Sequence, residues 1–168
     1  MSMVFQFRML SDENDNFLRD YELRSDATLL QFHKLILQTL EYEDCMASFF
    51  TADAKWEKLA EFTLLDMDDK TENAPQLMEN VTLEQVLHHI HDRLIYLFDV
   101  FGDRSYYLEL MSVYAADKEA CYPREIYAQA DAPDQYDPSI LVEDDGSIFA
   151  EAMDDFDEFE GNENYDDE

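Results

Sequence analysis

The chain has 168 residues, of which 41 are acidic and 11 are basic, giving a formal net charge of −30 at pH 7. A surface this negative repels phosphate, which disfavours direct binding to nucleic acid or to an anionic membrane and favours a basic protein partner. No apolar run approaches the ~20 residues that span a bilayer, and the N-terminus lacks a signal-peptide pattern. Cys45 and Cys121 are too few for a disulfide framework, so we expect free thiols in a cytoplasmic protein.

The charge is unevenly distributed along the chain. Residues 131–168 contain 16 acidic residues and no Lys or Arg, whereas residues 1–130 contain 25 acidic residues and all 11 basic ones. The first block is long enough to bury a substantial core. We therefore predict a folded domain over residues 1–130 and an acidic, aromatic-containing tail over 131–168 that is disordered when free.

Two strands and a helix are predicted in the first third of the chain. Residues 3–9 and 17–24 alternate between apolar and polar side chains on either side of a polar turn, which is typical of a hairpin. Thr28 and Gln31 have the spacing of a capping box, which predicts a helix over residues 28–41. Its apolar face consists of Leu29, Phe32, Leu35, Ile36 and Leu40. His33 is expected to lie away from that face.

Four further strands and one helix are predicted up to Tyr114. Residues 45–51 and 59–65 have the composition of strands, and a second capping box at Thr82 predicts a short helix over residues 83–91. From Arg93 to Tyr114, two runs with apolar side chains on both faces flank Gly102, which predicts a hairpin at the centre of a sheet. Phe101 falls on one of these strand faces, and Gly102 is expected to supply a positive φ at the turn. An irregular segment is expected from Cys121.

The order of these elements predicts an α+β fold. We expect a β-grasp-like sheet of about five or six strands, built from hairpins and packed against two helices, followed by the acidic C-terminal tail.

Candidate catalytic and metal-binding residues are few. On a helix, His88 and His91 could share a face with His89 close by, but no Cys or acidic partner stands at a recognisable zinc spacing. Asp99 is a carboxylate within an apolar strand, which predicts a structural ion pair with Arg93 or Arg104 or a position at a sheet edge, in preference to a raised pKa and a catalytic role. No phosphate-binding loop or nucleophile elbow is present, so we assign no catalytic residue, metal ligand or cofactor.

The tail carries the strongest functional pattern. It interleaves large apolar groups with acids, a composition typical of segments that bind a basic groove through hydrophobic anchors. The predicted binding residues are Ile148, Phe149, Phe156, Phe159, Asp154, Asp155, Asp157 and Glu158. The alternative is a solubilising tail that has no partner.

Several short motifs resemble a known family. They are Thr28-Leu-Leu-Gln-Phe-His33, Leu40-Glu-Tyr42, Val81-Thr-Leu-Glu-Gln-Val-Leu87, Phe101-Gly102-Asp103 and Tyr122-Pro123-Arg124. Over about residues 3–125 the chain resembles a divergent member of the plasmid Ri open-reading-frame-three-like family, whose relatives are also described as insertion-element passenger proteins. It departs from the family pattern at Val100, where Asp is common, and in the acidic tail. The resemblance implies an α+β fold and a link to mobile elements, but no established activity.

Three hypotheses for function follow. The first is a non-enzymatic protein-interaction module whose acidic tail engages a basic protein partner. The second is a DNA mimic or accessory protein of mobile-element or nucleic-acid transactions, which would occupy the basic surface of a DNA-binding protein. The third is an unrecognised metal-dependent hydrolase built around His88, His91, Asp99 or Asp103.

Overall fold

One eight-stranded sheet carries most of the described chain. The structure, a computed structural model, describes residues 3–65 and 75–136. The strands are β1 (Met3–Ser11), β2 (Leu18–Arg24), β3 (Ser48–Ala52), β4 (Lys58–Thr63), β5 (Gln76–Leu77), β6 (Arg93–Asp99), β7 (Arg104–Ala115) and β8 (Arg124–Gln129). The helices are α1 (Leu29–Leu40), a 3₁₀ helix (Met78–Asn80) and α2 (Leu83–Val86). None of these helices is long and apolar enough to cross a membrane.

The strand order is β5-β4-β3-β6-β7-β1-β2-β8. Every neighbouring pair is antiparallel except β4 and β5, so the sheet is mixed. The hairpin β6–β7 occupies the fourth and fifth places of eight, which confirms its predicted central position. Its core-facing residues, among them Leu94, Tyr96 and Leu108, are fully buried.

The predicted β-grasp-like sheet of five or six strands packed against two helices is wrong. Within the described residues the sheet has eight strands, and only α1 is a helix of substantial length. Strand β8 is not predicted from the sequence because almost all of its side chains are exposed, so apolar and polar residues do not alternate along it. Its position comes from pairing with β2 and from the Arg19 guanidinium, which donates to the Gln129 carbonyl oxygen at 3.0 Å.

Helix α1 confirms the prediction made from its capping box. The Thr28 hydroxyl accepts from the Gln31 backbone N–H at 3.2 Å, and the Thr28 N–H donates to the Gln31 side chain at 2.8 Å. The helix ends at Glu41, whose φ of 59° is left-handed. Its apolar face packs on the sheet, with the Phe32 ring 4.9 Å from Phe7 and 5.6 Å from Phe49.

His33 lies on the buried side of α1, so the prediction that it points away from the apolar face is wrong. Its side chain is 1% exposed, and Nδ1 lies 2.7 Å from the Tyr96 hydroxyl on β6. The wide sheet covers a broader stripe of the helix than the aliphatic residues alone define. Burial is possible because a buried polar group is tolerated when a hydrogen-bond partner is provided.

Helix α2 is much shorter than the predicted helix over residues 83–91. Its capping box at Thr82 is present, but the helix ends at Val86 and Leu87 is extended. The Asp92 carboxylate accepts from the backbone N–H groups of His88 and His89 at 2.8 and 3.0 Å. These bonds satisfy the backbone in a turn, which competes with further helix.

Candidate protein-interaction surface

All six arginines of the chain are engaged with its own carboxylates. The pairs are Arg8–Asp20, Arg19–Glu125, Arg24–Asp26, Arg93–Glu109, Arg104 with both Asp99 and Glu13, and Arg124–Glu22, at 2.7 to 3.6 Å. Arginine is the side chain best suited to holding a phosphate through two parallel hydrogen bonds. Since each guanidinium already contacts a carboxylate, the folded block presents its excess acids to solvent while its arginines are neutralised internally.

The turn between β6 and β7 is fixed by a buried carboxylate. Asp99 is 7% exposed; its Oδ1 accepts from the Gly102 N–H at 3.0 Å and its Oδ2 from Arg104 at 3.2 Å. Arg104 also donates twice to Glu13, at 2.8 and 2.9 Å. The Glu13 hydrogen bonds, followed by those to Asp99, raise the pKa of Arg104, so its charge is permanent. Of the interpretations of Asp99 offered by the sequence, the structure supports the ion pair with Arg104.

Gly102 is required here for space. A Cβ at this position would lie 2.6 Å from Asp99 Oδ2 and 3.2 Å from Arg104 Cδ. The prediction that Gly102 supplies a positive φ is wrong, because Asp103 takes the left-handed conformation with a φ of 53°. Aspartate tolerates that region better than most residues. Gly102 therefore lets the chain pass close over the Asp99 carboxylate.

Phe101 is displayed at the tip of this turn. Its side chain is 98% exposed, and that of the preceding Val100 is 48% exposed. The sequence pattern places Phe101 on a strand face that would be covered, but β6 ends at Asp99. An apolar residue was thus correctly located next to the turn, while its exposure was missed.

Two more exposed apolar side chains lie at the same end of the sheet. Ser48 on β3 pairs with both Leu97 on β6 and Thr63 on β4, so the residues just outside these positions reach the same edge. Met46 precedes β3 and is 52% exposed; Leu65 follows β4 and is 59% exposed. We call Met46, Leu65, Val100 and Phe101 the apolar rim.

Exposed acidic side chains lie near the residues of the apolar rim. Glu43 and Asp44 are exposed and precede Met46 in the chain, separated from it by Cys45. On the β7 side, the Tyr107 hydroxyl lies 3.4 Å from Asp12. Burial raises the pKa of Tyr107, and the charges of Asp12 and Asp103 raise it further.

The candidate catalytic residues are not brought together. His91 precedes β6 and Asp99 ends it, so seven strand residues, roughly 20 Å, separate them along the sheet. His91 instead contacts Glu109 at 2.6 Å, and Asp103 is exposed in the turn. Across residues 3–65 and 75–136, no group of three or more His, Cys, Asp or Glu side chains could hold a metal ion. Cys45 and Cys121 are not joined by a disulfide.

His33 is the most deeply buried of the four histidines. Its Nε2 has no hydrogen-bond partner and lies 3.9 Å from the exposed Asp44 carboxylate. Burial lowers the pKa of His33, and the nearby Asp44 offsets part of that effect. The imidazole therefore resists protonation in the folded protein.

The predicted tail residues lie outside the part of the chain that the structure describes. This applies to Ile148, Phe149, Asp154, Asp155, Phe156, Asp157, Glu158 and Phe159. The predicted boundary near residue 130 and the binding role of these side chains stay predictions.

Comparison with known proteins places the fold and the family. No curated protein matches the chain. Among solved structures, a crystal structure of a protein of unknown function from Methanosarcina mazei Go1 is similar, with a TM-score of 0.65 at 15% identity. The match covers 91% of this chain and 80% of that one, and at this identity it shows a shared fold alone. A model of the plasmid pRiA4b ORF-3-like protein family matches residues 4–137, which confirms the resemblance found in the sequence: the chain belongs to this family.

Proposed function

We propose that this protein is a non-enzymatic protein-interaction module that binds a basic protein partner through its anionic surface. The observation that carries the proposal is the pairing of all six arginines with internal carboxylates in a chain of net charge −30. The cytoplasmic location expected from the sequence is part of this proposal.

Electrostatics favours this class of partner over others. The excess acids attract a basic surface at long range and speed its encounter, whereas a phosphate backbone would be repelled. Exposed ion pairs contribute little to stability, roughly 0–1 kcal/mol each. An exposed pair such as Arg24–Asp26 is therefore better understood as removing a cationic group from the surface than as holding the fold together, whereas the buried Arg104–Asp99 pair also fixes the β6–β7 turn.

The acidic tail is proposed to contribute the apolar anchors of this interaction. Phe156 and Phe159, with Ile148 and Phe149, would enter apolar pockets of the partner, while the interleaved carboxylates meet its basic side chains. Affinity would then depend on the aromatic rings, and the rate of encounter on the charges.

Affinity capture with the full-length chain tests the proposal. Wild type is compared with a double variant, Phe156→Ser and Phe159→Ser, and with a charge variant in which Asp154, Asp155 and Asp157 become Asn. We expect wild type to retain proteins of high isoelectric point, with recovery falling steeply between about 50 and 300 mM salt. Both variants should retain less of them.

Other outcomes separate the competing hypotheses. Retention of acidic or neutral proteins, or recovery independent of salt, would contradict the proposed function. Unchanged recovery by both tail variants would remove the tail from the proposal but leave the folded block. Displacement of the captured protein by duplex DNA would identify the chain as a DNA mimic.

A further inference from the structure

We infer that the apolar rim, with Phe101 at its tip, is the docking site on the folded block for an amphipathic basic segment of the partner. This inference rests on the proposed function and adds where the folded block makes contact and what the contacted segment contains. Such a segment would place an apolar pocket or apolar side chains over Phe101 and direct lysine or arginine side chains to the surrounding carboxylates.

The exposure of Phe101 has no role within the described fold. The turn is set by the bonds that Asp99 makes with the Gly102 N–H and with Arg104, and by the left-handed backbone of Asp103. With 98% of its surface exposed, the Phe101 ring buries almost nothing against the described chain. A serine at this position would leave every one of these contacts in place.

The turn fixes the backbone that carries the Phe101 ring. Arg104 links the turn to Glu13 through two hydrogen bonds, and its guanidinium lies 4.9 Å above the Phe98 ring in the core. An aromatic side chain on a fixed backbone loses little conformational entropy when it binds. Aromatic anchors of this kind carry a large share of the binding energy in protein interfaces.

The other rim residues extend the apolar surface across neighbouring strands. Met46, Leu65 and Val100 are each about half exposed and belong to the same end of β3, β4 and β6. Single exposed apolar residues are ordinary, but four at one end of a sheet form a patch that a partner could cover.

Charge identifies the occupant. The exposed acids Asp12, Glu43, Asp44 and Asp103 accompany the rim, and the nearest arginine, Arg104, is held by Asp99 and Glu13. An anionic lipid surface would be repelled, and a second copy would bring another chain of net charge −30. A cationic segment is the occupant that both the apolar side chains and the carboxylates fit.

The test uses full-length protein and a variant matched within one strand. Phe101→Ser and Leu65→Ser remove rim residues; Leu59→Ser removes a similarly exposed leucine, 66% against 59%, from the opposite end of β4. In a second arm, the photo-crosslinking residue p-benzoylphenylalanine replaces Phe101, or Tyr127 on the outer strand β8 as an aromatic control. Cross-linked peptides from native lysate are identified by mass spectrometry.

We expect Phe101→Ser to weaken retention of the basic partner at least about tenfold, the loss typical of a central aromatic anchor, and Leu59→Ser to leave it unchanged. The residue at position 101 should cross-link to a partner peptide that contains both apolar and Lys or Arg side chains. If wild type binds a basic partner and Phe101→Ser binds it equally well, the rim is not the docking site and the proposed function stands. Cross-linking of position 101 to a second copy, to an acidic peptide or to lipid also overturns the inference. If wild type retains no basic protein, the proposed function itself fails and the rim inference falls with it.

Discussion

Replacing Gly102 with alanine should destabilise the protein even though the backbone permits it. The φ of Gly102 is not positive, so an alanine there would by itself stabilise by about 0.4–1 kcal/mol through the unfolded chain. The new Cβ, however, would lie 2.6 Å from Asp99 Oδ2 and force that carboxylate away from Arg104. Disturbing a charge-assisted hydrogen bond to a group only 7% exposed costs about 1.5–3 kcal/mol. The net loss expected is about 1–2 kcal/mol.

Urea unfolding of four proteins tests whether the clash with the Asp99 carboxylate causes the loss of stability. Wild type, Gly102→Ala, Asp99→Ala and the double variant form a cycle in which the second background lacks the carboxylate that the Cβ would meet. In the Asp99→Ala background, Gly102→Ala should be neutral or stabilising by up to about 1 kcal/mol, because the unfolded-chain effect is then opposed only by the milder contact of the Cβ with Arg104 Cδ at 3.2 Å. An equal cost of Gly102→Ala in both backgrounds would refute the close-approach explanation. That result would instead indicate that alanine strains the backbone of the turn.

Three further changes probe the core and its helix. Burial lowers the pKa of His33 below 6.5, so just below that pH the unfolded chain binds more protons than the folded chain and stability falls as pH decreases. Denaturant titrations from pH 7.5 to 5.5 should show a flatter stability profile for His33→Gln than for wild type, by at most about 1.4 kcal/mol per pH unit; equal slopes would contradict the burial argument. Thr28→Ala removes the hydroxyl that accepts from the Gln31 N–H and should lower the free energy of unfolding by about 1 kcal/mol, whereas Thr28→Ser, which keeps the hydroxyl, should cost less. Phe32→Ala should cost about 3–5 kcal/mol in the same assay, since the fully buried ring packs between Phe7 and Phe49; a cost below 1 kcal/mol would place the ring outside the core.

Local rules predicted where elements begin better than where they end. Both capping boxes, at Thr28 and at Thr82, are formed, because a side chain and a backbone group three residues apart suffice to make them. The second helix nevertheless ends at Val86, where the Asp92 carboxylate binds two backbone N–H groups and the chain must extend into β6. The end of an element depends on what the chain does next, which a capping motif does not contain.

Long-range pairing accounts for most of what the sequence did not reveal. Strand β8 has no apolar alternation, and its Arg124 finds Glu22 at a separation of 102 residues. His33 is buried because the Tyr96 hydroxyl, 63 residues away, meets its ring. Side chains that are so far apart in the sequence are brought together by the order of strands in the sheet. The periodicity of single strands does not predict that order.

The sequence did not predict the candidate surface for the same reason. In the sequence, residues 93–101 have the pattern of one uninterrupted strand. In the structure the strand ends at Asp99, which accepts from the Gly102 N–H. Arg104 then contacts Glu13, which lies 91 residues earlier in the chain. Composition correctly indicated an acidic surface. The pairing of every arginine with a carboxylate of the same chain, which composition does not show, required the structure.

Asp99 and Phe101, two positions apart in the chain, both depart from the usual distribution of their residue types. Asp99 is a charged side chain that is buried, and Phe101 is an aromatic side chain that is exposed. Violations of local consistency in a folded protein call either for compensation nearby or for a function. Asp99 is fully compensated, because Arg104 and the Gly102 N–H satisfy its carboxylate. Phe101 has no such compensation in the described chain, and its exposure is a cost that burial against another molecule would remove. The buried carboxylate is thus explained by the fold alone, whereas the exposed ring fits the docking site that we infer at the apolar rim.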